Sequence, residues 1–446
     1  MNVRAVGVVV LAASLGAADV AMAQSTTIAA ALARQPPATE EPQPAPAPSA
    51  PDDAPEPAVV RWRPLPSVRI GSHLRLDVHF RLQFDARDSE APLEEDEDDT
   101  RLDVARRRLG VEGVAFRIVE FEIERELTGD DAWRDVFVNV RANRRAEIQA
   151  GHFRLPFSID QDIGATNRDF TSRSLIARQL APGRDPGVMV HGRPVRPIEY
   201  EVGVFSRDGR NARTRNETKV TGGRTVAWRV VAQPWRSRKH GLEDLEFGVA
   251  RTHSDVPLGL PALRGETVLE SVFFDSDTPV LGARQRTGLQ MRWRPGPFSM
   301  MSEYIRVTTR RDGQEIEGGD LSPLRAHGWY LSGTWAVTGE RKARGLSSPR
   351  RPVFRGGPGA IELAARIERI TFGSTGTSEA PSTGPRAEVV LPNGDRAATL
   401  GVNWYLNRYV KVQANVVRER LDDPLRGPLP SQPSFWSRVL LLQFTL

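Results

Sequence analysis

From Val68 to Arg87 apolar and polar residues take turns almost without a break. Val68, Ile70, Leu74, Leu76, Val78, Phe80, Leu82, Phe84 and Ala86 fall on one face. Arg69, His73, Arg75, Asp77, His79, Arg81, Gln83, Asp85 and Arg87 fall on the other. Period two over this length reads as one strand with a greasy and a wet face. Strands of soluble proteins average about half a dozen residues, whereas a membrane-crossing strand needs ~9–11 plus its loop extensions. The length therefore predicts a transmembrane β-barrel.

Shorter alternating runs continue to the end of the chain. Arg101–Glu126 reads as two strands turning near Glu112-Gly113. Later runs include Tyr200–Ser206, Leu245–Arg251, Phe298–Thr308, Trp329–Val337, Ile361–Phe372 and Val410–Val417, punctuated by Pro295-Gly296, Asp312-Gly313 and Asn393-Gly394 as hairpins require. Tryptophans and tyrosines near strand ends (Trp293, Trp335, Trp404, Tyr409) suit an interfacial aromatic girdle. The runs predict an all-β, antiparallel barrel of about 16 strands. In the last of them Leu440, Leu442, Phe444 and Leu446 share one face, as a barrel-closing strand requires.

One stretch breaks the pattern. Gly151–Gly187 starts as a strand ending at Leu155-Pro156, then runs on for too long to be a hairpin before a Pro-Gly-Arg-Asp-Pro-Gly cluster. It carries Arg168, Arg173, Arg178 and Arg184, and between them Phe170, Leu175, Ile176 and Leu180 as apolar anchors. An arginine-bearing loop with its own anchors is expected to fold into the lumen and narrow it.

Composition agrees by exclusion. With 39% hydrophobic residues and a mean hydropathy of −0.40 in 446 residues, the chain is not a bundle of membrane helices. A barrel escapes that test because alternate residues face the lumen. Cysteine is absent, which removes disulfides and thiolate metal sites. The formal charge is +5, carried almost wholly by arginine, since Lys219, Lys239, Lys342 and Lys411 are the only lysines. A genome that favours arginine codons would explain this bias, and so would selection for anions, since guanidinium stays charged and grips phosphate with two prongs; nothing in the chain resembles a nucleic-acid module. No G-x-S-x-G or H-E-x-x-H is present, so the chain is not read as an enzyme, and no cofactor is called for. His73 and His79 lack a third ligand in the sequence, so no metal is expected. Glu120, Glu122 and Glu124 face inward and are expected to partner lumen arginines.

At the start, Arg4, the apolar run Val6–Leu15 and Ala21-Met22-Ala23 read as a signal peptide over 1–23. Residues 24–66 read as a Pro/Ala-rich, disordered periplasmic linker and 67–446 as the barrel. The acidic run Glu94–Asp99 reads as a solvated loop.

Several segments together resemble the phosphate-selective porin O and P family of Gram-negative outer membranes. They are RRRLGVEG (Arg106–Gly113), GHFRLPFSID (Gly151–Asp160), FTSRSL (Phe170–Leu175) and PGRDPGV (Pro182–Val188), with GPFSMMSEY at Gly296–Tyr304. WYLSGTWAVTGE (Trp329–Glu340), GAIELAARIERI (Gly359–Ile370) and TLGVNWYLNRYVKVQ (Thr399–Gln413) complete the series. The resemblance implies a 16-stranded barrel, a homotrimer among outer-membrane lipids and lipopolysaccharide, and a passive channel for phosphate or other small anions, with a general or structural barrel as the alternative. It puts Arg173 at a matching position of the in-folded loop, although the residue ahead of it, typically acidic, is Ser172. Arg173 and Arg178 are the leading candidates for the constriction, with Arg168 and Arg184 on the same loop and Arg75 and Arg81 on the wet face of the first strand. The mature chain is expected to begin at Gln24 and to fractionate with the outer membrane as a heat-modifiable, β-rich oligomer; recovery as a soluble periplasmic monomer would refute the barrel.

Overall fold

The computed structural model describes residues 58–61, 66–92, 100–127, 133–209, 223–236, 241–257, 263–275, 278–342, 348–378 and 380–446. The expected signal peptide, most of the expected linker and the Glu94–Asp99 run lie outside them.

Two short strands, β1 (Ala58–Arg61) and β2 (Ser67–Ile70), precede the barrel. Its first half is β3 (Leu74–Ser89), β4 (Thr100–Ala115), β5 (Val119–Glu126), β6 (Trp133–Asn143), β7 (Ala146–Arg154), β8 (Arg184–Val195), β9 (Ile198–Phe205) and β10 (Thr225–Ala232). After β11 (Glu246–Val256) comes an inner hairpin of β12 (Arg264–Glu266) and β13 (Val272–Asp275). The wall resumes with β14 (Gly282–Trp293), β15 (Phe298–Arg311), β16 (Leu321–Ala336), β17 (Ala360–Ser374), β18 (Asn393–Tyr405), β19 (Val410–Leu421) and β20 (Ser434–Thr445). Of the 18 strands in the main sheet, all but β1 and β2 form a closed antiparallel barrel, because β20 pairs back onto β3 from Ser437↔Ser89 to Thr445↔Arg81. Closure leaves no strand edge to meet hydrocarbon. Burial follows the pleat: along β11, Phe247, Val249, Arg251, His253 and Asp255 are exposed while Glu246, Gly248, Ala250, Thr252 and Ser254 are buried.

Turns at 116–118, 144–145, 196–197, 294–297 and 406–409 are short and share one end of the barrel with its first and last strand termini. Long connections gather at the other end, the arrangement of an outer-membrane barrel with its loops facing out. Connections 233–245 and 337–359 are longer exceptions at the short-turn end.

The expected strand boundaries shift in several places. The run from Val68 is two strands, since Gly71 (φ 51°) opens a turn over 71–73 where the alternation skips Gly71 and Ser72. His73 therefore sits in a turn and not on the wet face. Glu112-Gly113 is not a turn: Gly113 lies inside β4, where a Cβ would come within 2.6 Å of the Arg75 carbonyl and the Phe121 ring. Asn393-Gly394 likewise begins β18, Asn393 donating to the Phe273 carbonyl at 2.8 Å. Ala58–Arg61, within the expected linker, pairs with β2, its Val59 and Val60 supplying strand-forming residues.

Residues 155–183 enter the lumen, as expected, and carry two helical turns, α1 (Ile159–Asp162) and α2 (Leu175–Gln179). A second segment, of which residues 263–275 are described, also enters, which the sequence pattern does not announce. Phe157, Ile159, Leu175, Ile176 and Leu180 of the first loop and Phe273 and Phe274 of the second are buried in one apolar cluster with Ile305, Tyr330, Ile370 and Phe372 of the wall. One side of the barrel interior is thus a hydrophobic core. Glycines make seats in it: a Cβ at Gly328 would lie 2.6 Å from Ile176 Cγ2, and one at Gly288 3.3 Å from the Phe157 ring. Gly288→Leu should push Phe157 and the loop off the wall, raising single-channel conductance and its noise; parental conductance in an assembled barrel would show that the loop is not seated there.

Candidate functional site: a charged constriction at the in-folded loop

The first loop is gripped from the wall by acids. Ser158 Oγ donates to Glu303 Oε2 at 3.0 Å, and the Ile159 and Asp160 N–H groups donate to Glu303 at 2.8 and 3.2 Å. Tyr330 donates to the same carboxylate at 3.1 Å. Asp160 in turn accepts the Ser174 N–H and hydroxyl at 2.7 and 2.9 Å, and the Leu175 N–H donates to Glu368 at 2.6 Å. The N–H groups at the starts of α1 and α2, which no helical carbonyl satisfies, therefore end on carboxylates.

Cations hold what lies between. Arg366 pairs with Glu368 at 2.8 Å, donates to the Ser172 and Arg173 carbonyls at 3.1 and 3.3 Å, and lies 4.6 Å over the Phe170 ring. Lys411 donates to the Thr166 and Arg168 carbonyls at 3.0 and 3.1 Å. Lys342, reaching in from the short-turn end, contacts Asp169 at 2.5 Å and also pairs with Glu362.

The predicted arginines divide into two kinds. Arg75 pairs with Asp77 at 2.9 Å. Arg81 donates to Thr166 at 2.7 Å and lies 3.3 Å from Glu124. Arg184 belongs to the wall and not to the loop: it is the first residue of β8 and binds Asp135 with both prongs, at 3.0 and 2.6 Å. Arg178 is spent on the second loop, donating to the Val268, Glu266 and Thr267 carbonyls and pairing with Glu270 at 3.2 Å. Burial would raise the Glu270 carboxyl, but Arg178, Arg87 and Arg106 hold it below its usual range.

Arg168 and Arg173 differ. Arg173 donates to the Ile163 carbonyl at 3.0 Å, and its nearest carboxylate, Asp160, is 3.9 Å away. Arg168 is only 6% exposed, has no ion pair among the described residues, and leaves its Nε without a hydrogen-bond partner. Burial, then the charges of Arg106 and Arg173, lower its pKa from the ordinary value, so its surroundings favour a neighbouring negative charge.

Two further arginines join them that the candidate set omitted. Arg106 donates to Gln83 at 2.6 Å and Arg154 to the Asp162 carbonyl at 3.2 Å; among the described residues neither has a carboxylate partner. Arg106 was legible in principle, because Leu109 and Val111 share the outward parity on β4, but the run Arg106-Arg107-Arg108 hides that the first and third turn inward. Glu122 and Glu124 of β5 also bring ligand atoms within 4.8 Å of one another and of His79, supplying neighbours that the histidine spacing could not reveal. Glu124 there is already shared by Arg81 and by Arg108 at 3.2 Å.

A second clasp ties the loops together. Asp208 takes Arg284 at 2.6 Å and also Arg286, and Arg286 donates to the Leu180 carbonyl at 2.8 Å. Glu303→Gln keeps the size of the side chain and removes the charge that three loop donors share, each such bond contributing about 1.5–3 kcal/mol. The variant should give a noisier open channel and a lower heat-modification temperature; a channel as quiet and heat-stable as the parent would show that the loop does not depend on this grip.

Residues 76–235 and 269–425 match the family model described as "Phosphate-selective porin O and P". Porin O of Pseudomonas aeruginosa is 27% identical over 144 residues, a match spanning 30% of each chain. Among solved structures, the loop L8 deletion mutant of OmpT, an outer membrane protein of Vibrio cholerae, aligns with a TM-score of 0.54 and 13% identity over 84% of this chain and 100% of that one. OmpT in its trimer form gives 0.53 and 12% over 84% and 100%. The outer membrane channel DcaP of Acinetobacter baumannii gives 0.50 and 10% over 85% and 99%.

Proposed function

We propose that this chain, which belongs to the phosphate-selective porin O and P family, lets small anions, phosphate or polyphosphate among them, diffuse passively through its arginine-lined constriction. Family and fold support a channel barrel of a Gram-negative outer membrane rather than an enzyme. The observation that carries the anion reading is the contrast among inward arginines. Arg75, Arg81 and Arg184 are matched by carboxylates, whereas Arg106, Arg154 and Arg168 have none among the described residues and Arg173 has only a distant one.

In this reading a phosphate entering the narrow passage gives up part of its hydration and takes guanidinium forks in its place. It leaves again because the nearby carboxylates of Glu124 and Asp135 keep the field from becoming a trap. Arg168 and Arg173 bind from the loop side, Arg106 and Arg154 from the wall. Support for a homotrimer comes from the trimer form of Vibrio cholerae OmpT, and export by the expected signal peptide completes the picture. A purely structural barrel is the competing reading, favoured by the second in-folded loop and the apolar core that fill one side of the lumen.

Planar-bilayer recordings separate the two. Arg173→Ala should reduce anion-over-cation permeability and weaken block of chloride current by phosphate, each lost contact amounting to roughly 1–3 kcal/mol before solvent screening. Arg173→Lys should keep anion preference and lose phosphate discrimination, because the charge survives and the fork does not. A parent without conductance supports the structural barrel. An alanine variant equal to the parent in both measurements removes Arg173 from the ion path.

A further inference from the structure

The outer wall carries arginines too, and most of them are accounted for. Arg369 and Arg396 share Asp422 at 3.1 and 3.3 Å, Arg438 meets Asp88 at 2.6 Å, and Arg418 lies 5.2 Å over the Trp436 ring. One region of the wall, across β11, β14, β15 and β16, is different.

There, two cross-strand rows run toward the long-loop end on the outward face. In the lower row Arg251 stands opposite Thr287, Thr287 opposite Arg306, and Arg306 directly opposite His327. In the upper row His253 faces Gln285, Gln285 faces Thr308, and Thr308 faces Arg325. Arg251, Arg306, His253 and His327 are exposed. Among the described residues none of these five basic side chains has an ion pair; Arg251 donates to Gln285 at 3.2 Å, and Arg325 Nε has no hydrogen-bond partner. The acids nearby lie beyond the rows: Asp255 is one step further up β11, and Asp312 and Asp320 are engaged by Arg310 at 2.8 and 3.7 Å. Like charges directly opposite one another on adjacent strands, ~4.8 Å apart, destabilise a sheet. Arg306 and His327, when the imidazole is protonated, are the one such pair in these rows, and an anion beside them would relieve it. Thr287, Gln285 and Thr308 add neutral hydrogen-bonding groups between the charges.

The next row toward the membrane centre is of another kind. Val249, Leu289, Tyr304 and Trp329 follow one another across the same four strands, and Leu331 is exposed below Trp329. An arginine shelf above an aromatic and aliphatic floor, on a wall facing lipid, is built for a molecule with phosphate at one end and hydrocarbon at the other. We infer that this face of the barrel is a docking surface for a phosphorylated glycolipid of the outer leaflet. Its phosphate groups bind between Arg251, Arg306 and Arg325, and its acyl chains lie on Leu289, Tyr304 and Trp329.

The test uses the purified full-length protein in detergent, with bisphosphorylated lipid A and its dephosphorylated form as probes and native mass spectrometry as the readout. The parent should retain the phosphorylated probe better by about ten-fold or more, as several guanidinium–phosphate contacts would give. The triple variant Arg251→Gln, Arg306→Gln, Arg325→Gln should lose that difference while keeping parental conductance, and Arg418→Gln should keep it. Equal retention of the two probes by the parent, or an undiminished difference in the triple variant, overturns the inference. Displacement of the lipid by an equal concentration of inorganic phosphate makes this a free-anion site and overturns it as well. A triple variant that changes oligomeric state without changing lipid retention assigns the face to a second copy of the chain and likewise refutes it.

Discussion

The carboxylates of Glu303 and Glu368 hold the N–H groups that open the two helical turns of the in-folded loop, and the passage takes its shape from that grip. A segment without sheet partners, placed inside a barrel, needs another home for its backbone polar groups. The wall supplies it with acids where N–H groups converge and with Arg366, Lys411 and Gln413 where carbonyls do. Acidic side chains in a lumen proposed to pass anions are thereby explained in part: Glu303 and Glu368 address the loop backbone, and Asp135 addresses Arg184.

The same residue type meets two different surroundings in this molecule. Inside, a guanidinium is held by a carboxylate, a carbonyl or a neighbouring hydroxyl, and the few without carboxylates define the proposed anion path. Outside, it stands at the rim of an apolar band, in some places paired with a carboxylate, as Arg369 and Arg438 are with Asp422 and Asp88, and in others, as at Arg251 and Arg306, without an ion pair among the described residues. Charge composition cannot separate these roles, because Arg106 and Arg107 are neighbours in the chain and face opposite sides of the wall. Parity along a strand separates them, once the strand's limits are known.

Much of the architecture was legible for that reason. Alternation identified a closed antiparallel barrel of about 16 strands, and a long arginine-bearing interruption identified the loop that enters it. Where the reading slipped, glycine was usually the cause. Gly113 and Gly394 look like turn residues in the sequence but occupy strands in which a side chain would strike a neighbouring carbonyl, while the turn after β4 is made at Phe116 and Arg117 with positive φ. The second in-folded segment escaped notice because its anchors, Phe273 and Phe274, sit in a short apolar run that looks like any other strand. Of the candidate arginines, Arg178 and Arg184 have partners far away in sequence, 92 and 49 residues off, which no local pattern could disclose.

Closure itself has a kinetic side. The seam between β20 and β3 joins the start of the wall to its end, with Gln83 bonded to Gln443 at 2.5 Å across 360 residues of chain. Leu446 then exchanges hydrogen bonds with Phe80, and the Pro66 carbonyl accepts from Val78 immediately beyond, so the two terminal segments lie end to end along one strand. Contacts of such high sequence separation form late, since the entropy of closing the chain must be met before they contribute. A nascent barrel therefore carries two open edges until its last dozen residues arrive, and commitment to the folded state waits on a single annealing step between its first and final strands.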